Sequence, residues 1–159
     1  MSANSKPRKG AGASAKPAKP TTKRMESILQ RNIEIAIGSE PDFLMLRNSV
    51  GSAKYVQETT GKTFHVPYGL GVGSPDLVGI LAPWGVFVGL EVKDPNGVVE
   101  PHQTTSHELW RRFGALVYVV RSVEDARIAL QHARRECWMR TTKMLDVPMP
   151  RISTPMKAT

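Results

Sequence analysis

A single cysteine, Cys137, stands in a chain of 159 residues, which excludes an internal disulfide and a cluster of zinc-bound thiolates and fits a reducing compartment. Cys137 reads as a small core residue of a helix. Histidine is equally sparse: His102 and His107 lie five apart while His65 and His132 are scattered, so no zinc spacing is formed and all four default to the surface. No apolar run approaches the roughly 20 residues that cross a bilayer, and the first residues lack the apolar segment of a secretory signal, so an intracellular protein with no membrane association is expected. Acidic residues are missing from the first 24 positions, which carry Lys6, Arg8, Lys9, Lys16, Lys19, Lys23 and Arg24, so +7 of the net charge of +8 sits there and the remainder is close to neutral. That stretch is built from Lys, Pro, Gly, Ala and Ser and has nothing to bury, so residues 1–23 are expected to be a disordered basic tail. It serves either as a solubilising leader or as an arm attracted to phosphates.

The rest has the composition of one soluble domain, with 40% hydrophobic and 23% charged residues. Met25, Ile28, Leu29, Ile33, Ala36 and Ile37 follow helical spacing and Gly38 stops it, predicting a helix over 24–37. A short strand over 43–48 follows, then a Gly-rich, poorly periodic stretch up to Ser74 that reads as loop, with at most one short strand near Lys54 to Gln57. Within it "GLGVGS" leads into a strand, not a helix, so it is not a phosphate-cradling motif. Beyond come a hairpin, a helix opened by Pro101 and closed by Gly114, a strand over 115–121 and a helix from Val123 to about Glu136, with Ser122 and Asp125 as a variant capping box. The order implies an α/β fold, a mixed sheet with helices on both faces. Residues 24–140 form the expected domain, and the Pro-punctuated end, 141–159, a loosely ordered extension.

The hairpin "PDLVGILAPWGVFVGLEVK" holds the informative charges. With Pro83 and Trp84 at its tip, facing residues have numbers that sum to 167, so Asp76 faces Glu91, and a four-residue loop on the same tip keeps that register. Lys93 lies on the face of Glu91, because side chains alternate along a strand. Like charges opposite one another destabilise a sheet. Lys93 alone could neutralise one carboxylate as a salt bridge, which leaves one charge over. A divalent cation held between Asp76 and Glu91 accounts for both, and it frees Lys93 to orient or help deprotonate a water and to stabilise charge on a phosphate, the parts needed for phosphodiester hydrolysis.

"SPD" before an apolar strand and "LEVK" after a hairpin resemble the signature of the PD-(D/E)xK nuclease superfamily. The wider pattern "GSPDLVGIL…GVFVGLEVK…GVVEPHQ…FGALVYVVRSVEDA", across roughly residues 24–136, is similar to a stand-alone VRR-NUC domain of the phage and bacterial type. That resemblance implies a restriction-endonuclease-like mixed β-sheet with a central hairpin flanked by helices. It implies a metal-dependent DNA endonuclease using Mg²⁺ or Mn²⁺, structure-specific on branched or Holliday-junction DNA and acting as a homodimer. A DNA-binding module without chemistry, or a nickase or end-processing nuclease, is the alternative. The resemblance makes Asp76, Glu91, Lys93 and Gln103 the catalytic set and Glu26, Asp76 and Glu91 the metal ligands, with Glu34 competing for the place of Glu26. Gln103 would position the Lys or the phosphate, and Arg47, Asn48 and Lys54 would contact DNA phosphates.

Overall fold

The computed structural model describes residues 22–145. Helix α1 (Thr22–Ile37) is followed by β1 (Phe43–Arg47), β2 (Gly51–Val56), β3 (Thr63–Tyr68), β4 (Leu77–Leu81) and β5 (Val86–Val92). Helix α2 (Pro101–Arg112), strand β6 (Leu116–Val120) and helix α3 (Val123–Leu145) complete the chain. Four strands form one sheet in the order β1-β4-β5-β6, and β2 with β3 form a separate two-stranded sheet. The β4–β5 hairpin is the centre of the main sheet: β1, β4 and β5 run antiparallel, whereas β6 pairs parallel to β5 after the α2 crossover. The fold is therefore the mixed α/β sheet expected from the order of elements.

Side-chain alternation along β5 divides the molecule into layers. Val88, Leu90 and Val92 point into one core with Leu77 and Leu81 of β4, Ile33 and Ile37 of α1, and Ala126, Ala129, Leu130, Ala133 and Cys137 of α3. The opposite face carries Phe87, Gly89 and Glu91 toward α2, where Phe87 stacks on Trp110 with ring centroids 4.6 Å apart. Alanines on α3 let that helix approach the sheet closely, and Cys137 is buried among them as the sequence implied. Arg134 ties α3 to the turn after α1, donating to both carboxylate oxygens of Asp42 at 2.8 and 2.6 Å and to Glu40 at 2.7 Å.

Three sequence expectations need correction. The stretch read as loop up to Ser74 contains the β2–β3 hairpin, whose register runs from Gly51 opposite Tyr68 to Val56 opposite Thr63. Phe64, Val66 and Tyr68 do alternate along β3 and face Tyr55, Ala53 and Gly51, but the alternation is short, contains Pro67 and lies between glycine-rich segments, which read as loop. Helix α3 continues nine residues past Glu136 to Leu145, because nothing between them breaks it, and so runs into the span expected to be loosely ordered. Helix α1 begins at Thr22, so Thr22 and Lys23 are helical and not part of a disordered tail. The rest of both expected tails, residues 1–21 and 146–159, lies outside the described residues. At the start of α3, Ser122 Oγ accepts from the Asp125 amide at 3.0 Å and Asp125 accepts from the Arg121 amide at 2.9 Å, a capping box shifted by one residue on its return arm.

Candidate active site

The β4–β5 ladder pairs Leu77 with Leu90 and Leu81 with Val86, so facing numbers sum to 167 and four residues, 82–85, form the tip. Asp76, one step before β4, thereby comes opposite Glu91. Its Oδ2 accepts the Val92 amide hydrogen at 2.9 Å, and its backbone oxygen accepts from the Asn48 amide at 2.8 Å. The approach to Asp76 is tight. Gly89 has no side chain because Pro75 lies where a Cβ would be, and Gly73, at φ 83°, passes so close to the His102 carbonyl that any Cβ would collide.

Glu91 is fully buried, an uncommon position for a carboxylate. Both of its characterised donors meet one oxygen: Lys93 Nζ lies 2.9 Å from Oε1, and Gln103 Nε2 donates to the same atom in a short hydrogen bond. Gln103 cannot turn away, since its Oε1 accepts the Glu100 amide hydrogen at 2.9 Å across the first turn of α2. Its amide thus meets Glu91 Oε1, the same atom that Lys93 reaches. The other carboxylate oxygen, Oε2, is buried without a hydrogen bond, and so is Nε2 of His107, 3.4 Å away.

A fully buried and a part-buried carboxylate face each other with one ammonium nearby, and their proton affinities reflect it. Burial first, and then the charge of Glu91, push Asp76 up to about 6, against the pull of the Val92 hydrogen bond and of Lys93. Burial also raises Glu91, opposed by its hydrogen bond and ion pair with Lys93. Lys93 is the mirror case: burial favours loss of its proton, but Glu91, Glu26 and Asp76 together outweigh burial and hold the ammonium more firmly than usual. Burial, with Arg111 and Lys93 nearby, pushes His107 down, so its imidazole is neutral at pH 7.

Asp76 borders two clefts. One, of about 310 Å³, is lined by Lys23, Glu26, Gln30, Arg47, Asn48 and Lys93 and lies beneath the N-terminal half of α1. The second, of about 610 Å³, runs between the start of α2 at His102 and Gln103 and the base of the β2–β3 hairpin at Ser52 and Pro67. Glu26 is thus the helical acid that reaches the site, and its charge raises both Asp76 and Glu91. Glu34 lies two turns further along α1, 3.8 Å from the Arg47 guanidinium and outside the cleft lining. No group of three or more acidic, histidine or cysteine side chains is already gathered as a cation site among the described residues. The donor set still suits a hard divalent cation: Asp76 and Glu91 are crowded, desolvated and short of positive charge, and Glu91 Oε2 has no hydrogen bond.

One solved structure that matches is described as a VRR_NUC domain; it is 29% identical, spans 67% of this chain and 95% of that one, and superposes with a TM-score of 0.45. No protein-family model and no curated protein matches the chain.

The remaining residues singled out in the sequence separate by geometry. Arg47 is half exposed and stands in the cleft wall. Asn48 spends its side chain inside the protein: its amide donates to Ser74 Oγ and to the Pro75 carbonyl, each at 2.8 Å, while its Oδ1 accepts from Leu70 at 3.2 Å. These bonds fix the Gly-rich segment that delivers Asp76, and they use both of its side-chain donors. Lys54 lies on the exposed β2 strand, away from both clefts. His107, expected at the surface, is 2% exposed and was missed. Its signal was present, because Gln103 and His107 are four apart and so share one face of α2.

Proposed function

We propose that this chain is a metal-dependent nuclease of the VRR-NUC type that hydrolyses phosphodiester bonds in DNA, with branched or four-way-junction DNA as its substrate. One observation carries the reading: Asp76 and a fully buried Glu91 come into register across the central hairpin, with Lys93 paired to Glu91 alone. A salt bridge alone does not explain this, since Lys93 pairs with Glu91 and leaves Asp76 held up at about 6. Asp76, Glu91 and Glu26 would hold the cation, Mg²⁺ or Mn²⁺, which supplies Lewis acidity toward a phosphate oxygen and a more acidic water.

The chain's own groups then divide the work. Lys93 keeps its proton and offers an ammonium to the charge that develops on the phosphate. Gln103 holds Glu91 Oε1 in place from α2. Arg47 and Lys23, in the wall beside Asp76, supply positive charge to the phosphates on either side of the scissile bond. Because Asp76 is common to both clefts, a strand lying from one to the other passes over it. Lys54 would extend the contact outward along β2. Symmetrical cutting of a junction needs two sites, and a homodimer provides them.

Incubating the protein with four-way junction, flap, splayed and linear DNA, each with Mg²⁺ or Mn²⁺, tests the reading. Internal cleavage greatest on the junction supports it. Binding without cleavage under every condition would leave only the DNA-binding module, and a monomer by light scattering, free and DNA-bound, would replace the resolvase with a nickase.

A further inference from the structure

The unmatched atoms beneath Glu91 lead to one more assignment, which rests on the cation reading above. Glu91 Oε1 accepts from both Lys93 and Gln103, so its two lone pairs are occupied. Oε2 has two lone pairs and no hydrogen bond, although it is buried. An unpaired buried carboxylate oxygen is costly, and so is an unpaired imidazole nitrogen. Here the two orphans lie 3.4 Å apart, on β5 and α2, in a layer closed by the stacked Phe87 and Trp110.

We propose that His107 is a positioning residue for the cation site: it donates its Nε2 hydrogen to Glu91 Oε2 and so fixes the rotation of that carboxylate. With Gln103 and Lys93 on Oε1 and His107 on one lone pair of Oε2, a single lone pair of Glu91 remains, and it is the one a cation shared with Asp76 would use. The separation of 3.4 Å is a little longer than a good hydrogen bond, and such contacts tighten when the site is filled. The arrangement explains why α2 presents Gln103 and His107 on the same face: between them they hold both oxygens of one buried carboxylate. It requires the tautomer with hydrogen on Nε2, and it assigns no proton transfer to the imidazole.

Glutamine and asparagine separate this role from simple packing. The glutamine amide nitrogen reaches the position of Nε2, whereas that of asparagine stops near Nδ1. Calorimetric titration of Mn²⁺ into wild type, His107→Gln, His107→Asn and His107→Leu reads the role without any cleavage. Loss of a hydrogen-bond partner of a metal-bound carboxylate weakens metal binding about 10–100-fold. His107→Gln should bind Mn²⁺ nearly as wild type does, and His107→Asn and His107→Leu should be weaker by that factor, each variant having a cooperative metal-free melt. Equal affinity in all four proteins, or His107→Gln as weak as His107→Leu, overturns the assignment while leaving the cation site standing. No Mn²⁺ binding by wild type would overturn the cation reading itself and this assignment with it. Should His107→Leu fail to fold, the contrast between Gln and Asn decides alone.

Discussion

Replacing Asp76 with Asn should make the metal-free protein more stable, an unusual expectation for a residue at the centre of an active site. Asp76 is raised from 3.8 to about 6 by burial and by Glu91. A carboxyl whose proton affinity is higher in the folded state costs nothing below its unfolded value. The stability present there is lost as pH rises through the folded value, here between about pH 4 and pH 6. At 1.36 kcal/mol per pH unit the difference comes to about 3 kcal/mol at pH 8, an upper bound for a partly solvated group. Asparagine keeps an oxygen for the Val92 amide hydrogen and removes the charge. A gain of about 2–3 kcal/mol in a domain of this size corresponds to a melting temperature higher by roughly 5–12 °C. Thermal melts of both proteins in chelator, from about pH 4 to pH 8, should show curves that coincide at the acid end and separate through pH 6. An Asn variant that melts below wild type at pH 8, or an offset that does not change with pH, would refute the reasoning.

The other predictions concern separate parts of the chain. Mn²⁺ should raise the melting temperature of wild type, by the equivalent of about 2.7 kcal/mol at a hundred times its dissociation constant, and should leave Glu91→Gln unmoved; equal shifts in both would remove Glu91 as a ligand. Arg134→Met should cost about 1 kcal/mol near neutral pH in chemical denaturation, by releasing Asp42 and Glu40. Arg134 holds Asp42 below the usual carboxylate range, so its contribution is present above the unfolded value and lost as pH falls through the folded one, and the cost should shrink in acid. Removing residues 1–21 should weaken DNA binding equally on every DNA shape and flatten its salt dependence, at about 0.9 in the log-log slope for each phosphate no longer neutralised; an unchanged slope would make the stretch a leader only.

What could be read in the sequence was what periodicity and register encode. The central hairpin was legible because its strands are near-continuous apolar runs buried on both faces, and its tip fixes which residues oppose one another, so the pairing of Asp76 with Glu91 followed before any coordinates. The β2–β3 hairpin was not read, because the alternation of Phe64, Val66 and Tyr68 is short, holds Pro67 and is flanked by glycines that read as loop. The acidic residue from α1 needed the fold: Glu26 and Glu34 are two turns and about 80° apart on the helix, and only the packing of α1 puts the first at the cleft and the second beside Arg47. The internal contacts of Asn48 and His107 were hidden for one reason. A polar side chain on a loop or helix reads as solvated, whereas Asn48 is hydrogen-bonded to Ser74 and Pro75, and His107 is sealed under Glu91.

Cleavage of four-way-junction DNA by wild type and by Lys93→Ala, each with Mg²⁺ and with chelator, tests the central claim most directly. Lys93 is the ion-pair partner of the buried Glu91, so a cooperative melt first checks that the variant folds; it should then bind the junction and fail to cut it, while wild type cuts only with the metal. Cutting by Lys93→Ala at the wild-type rate, or by wild type in chelator, would contradict the assignment of Asp76, Glu91 and Lys93 as one hydrolytic centre.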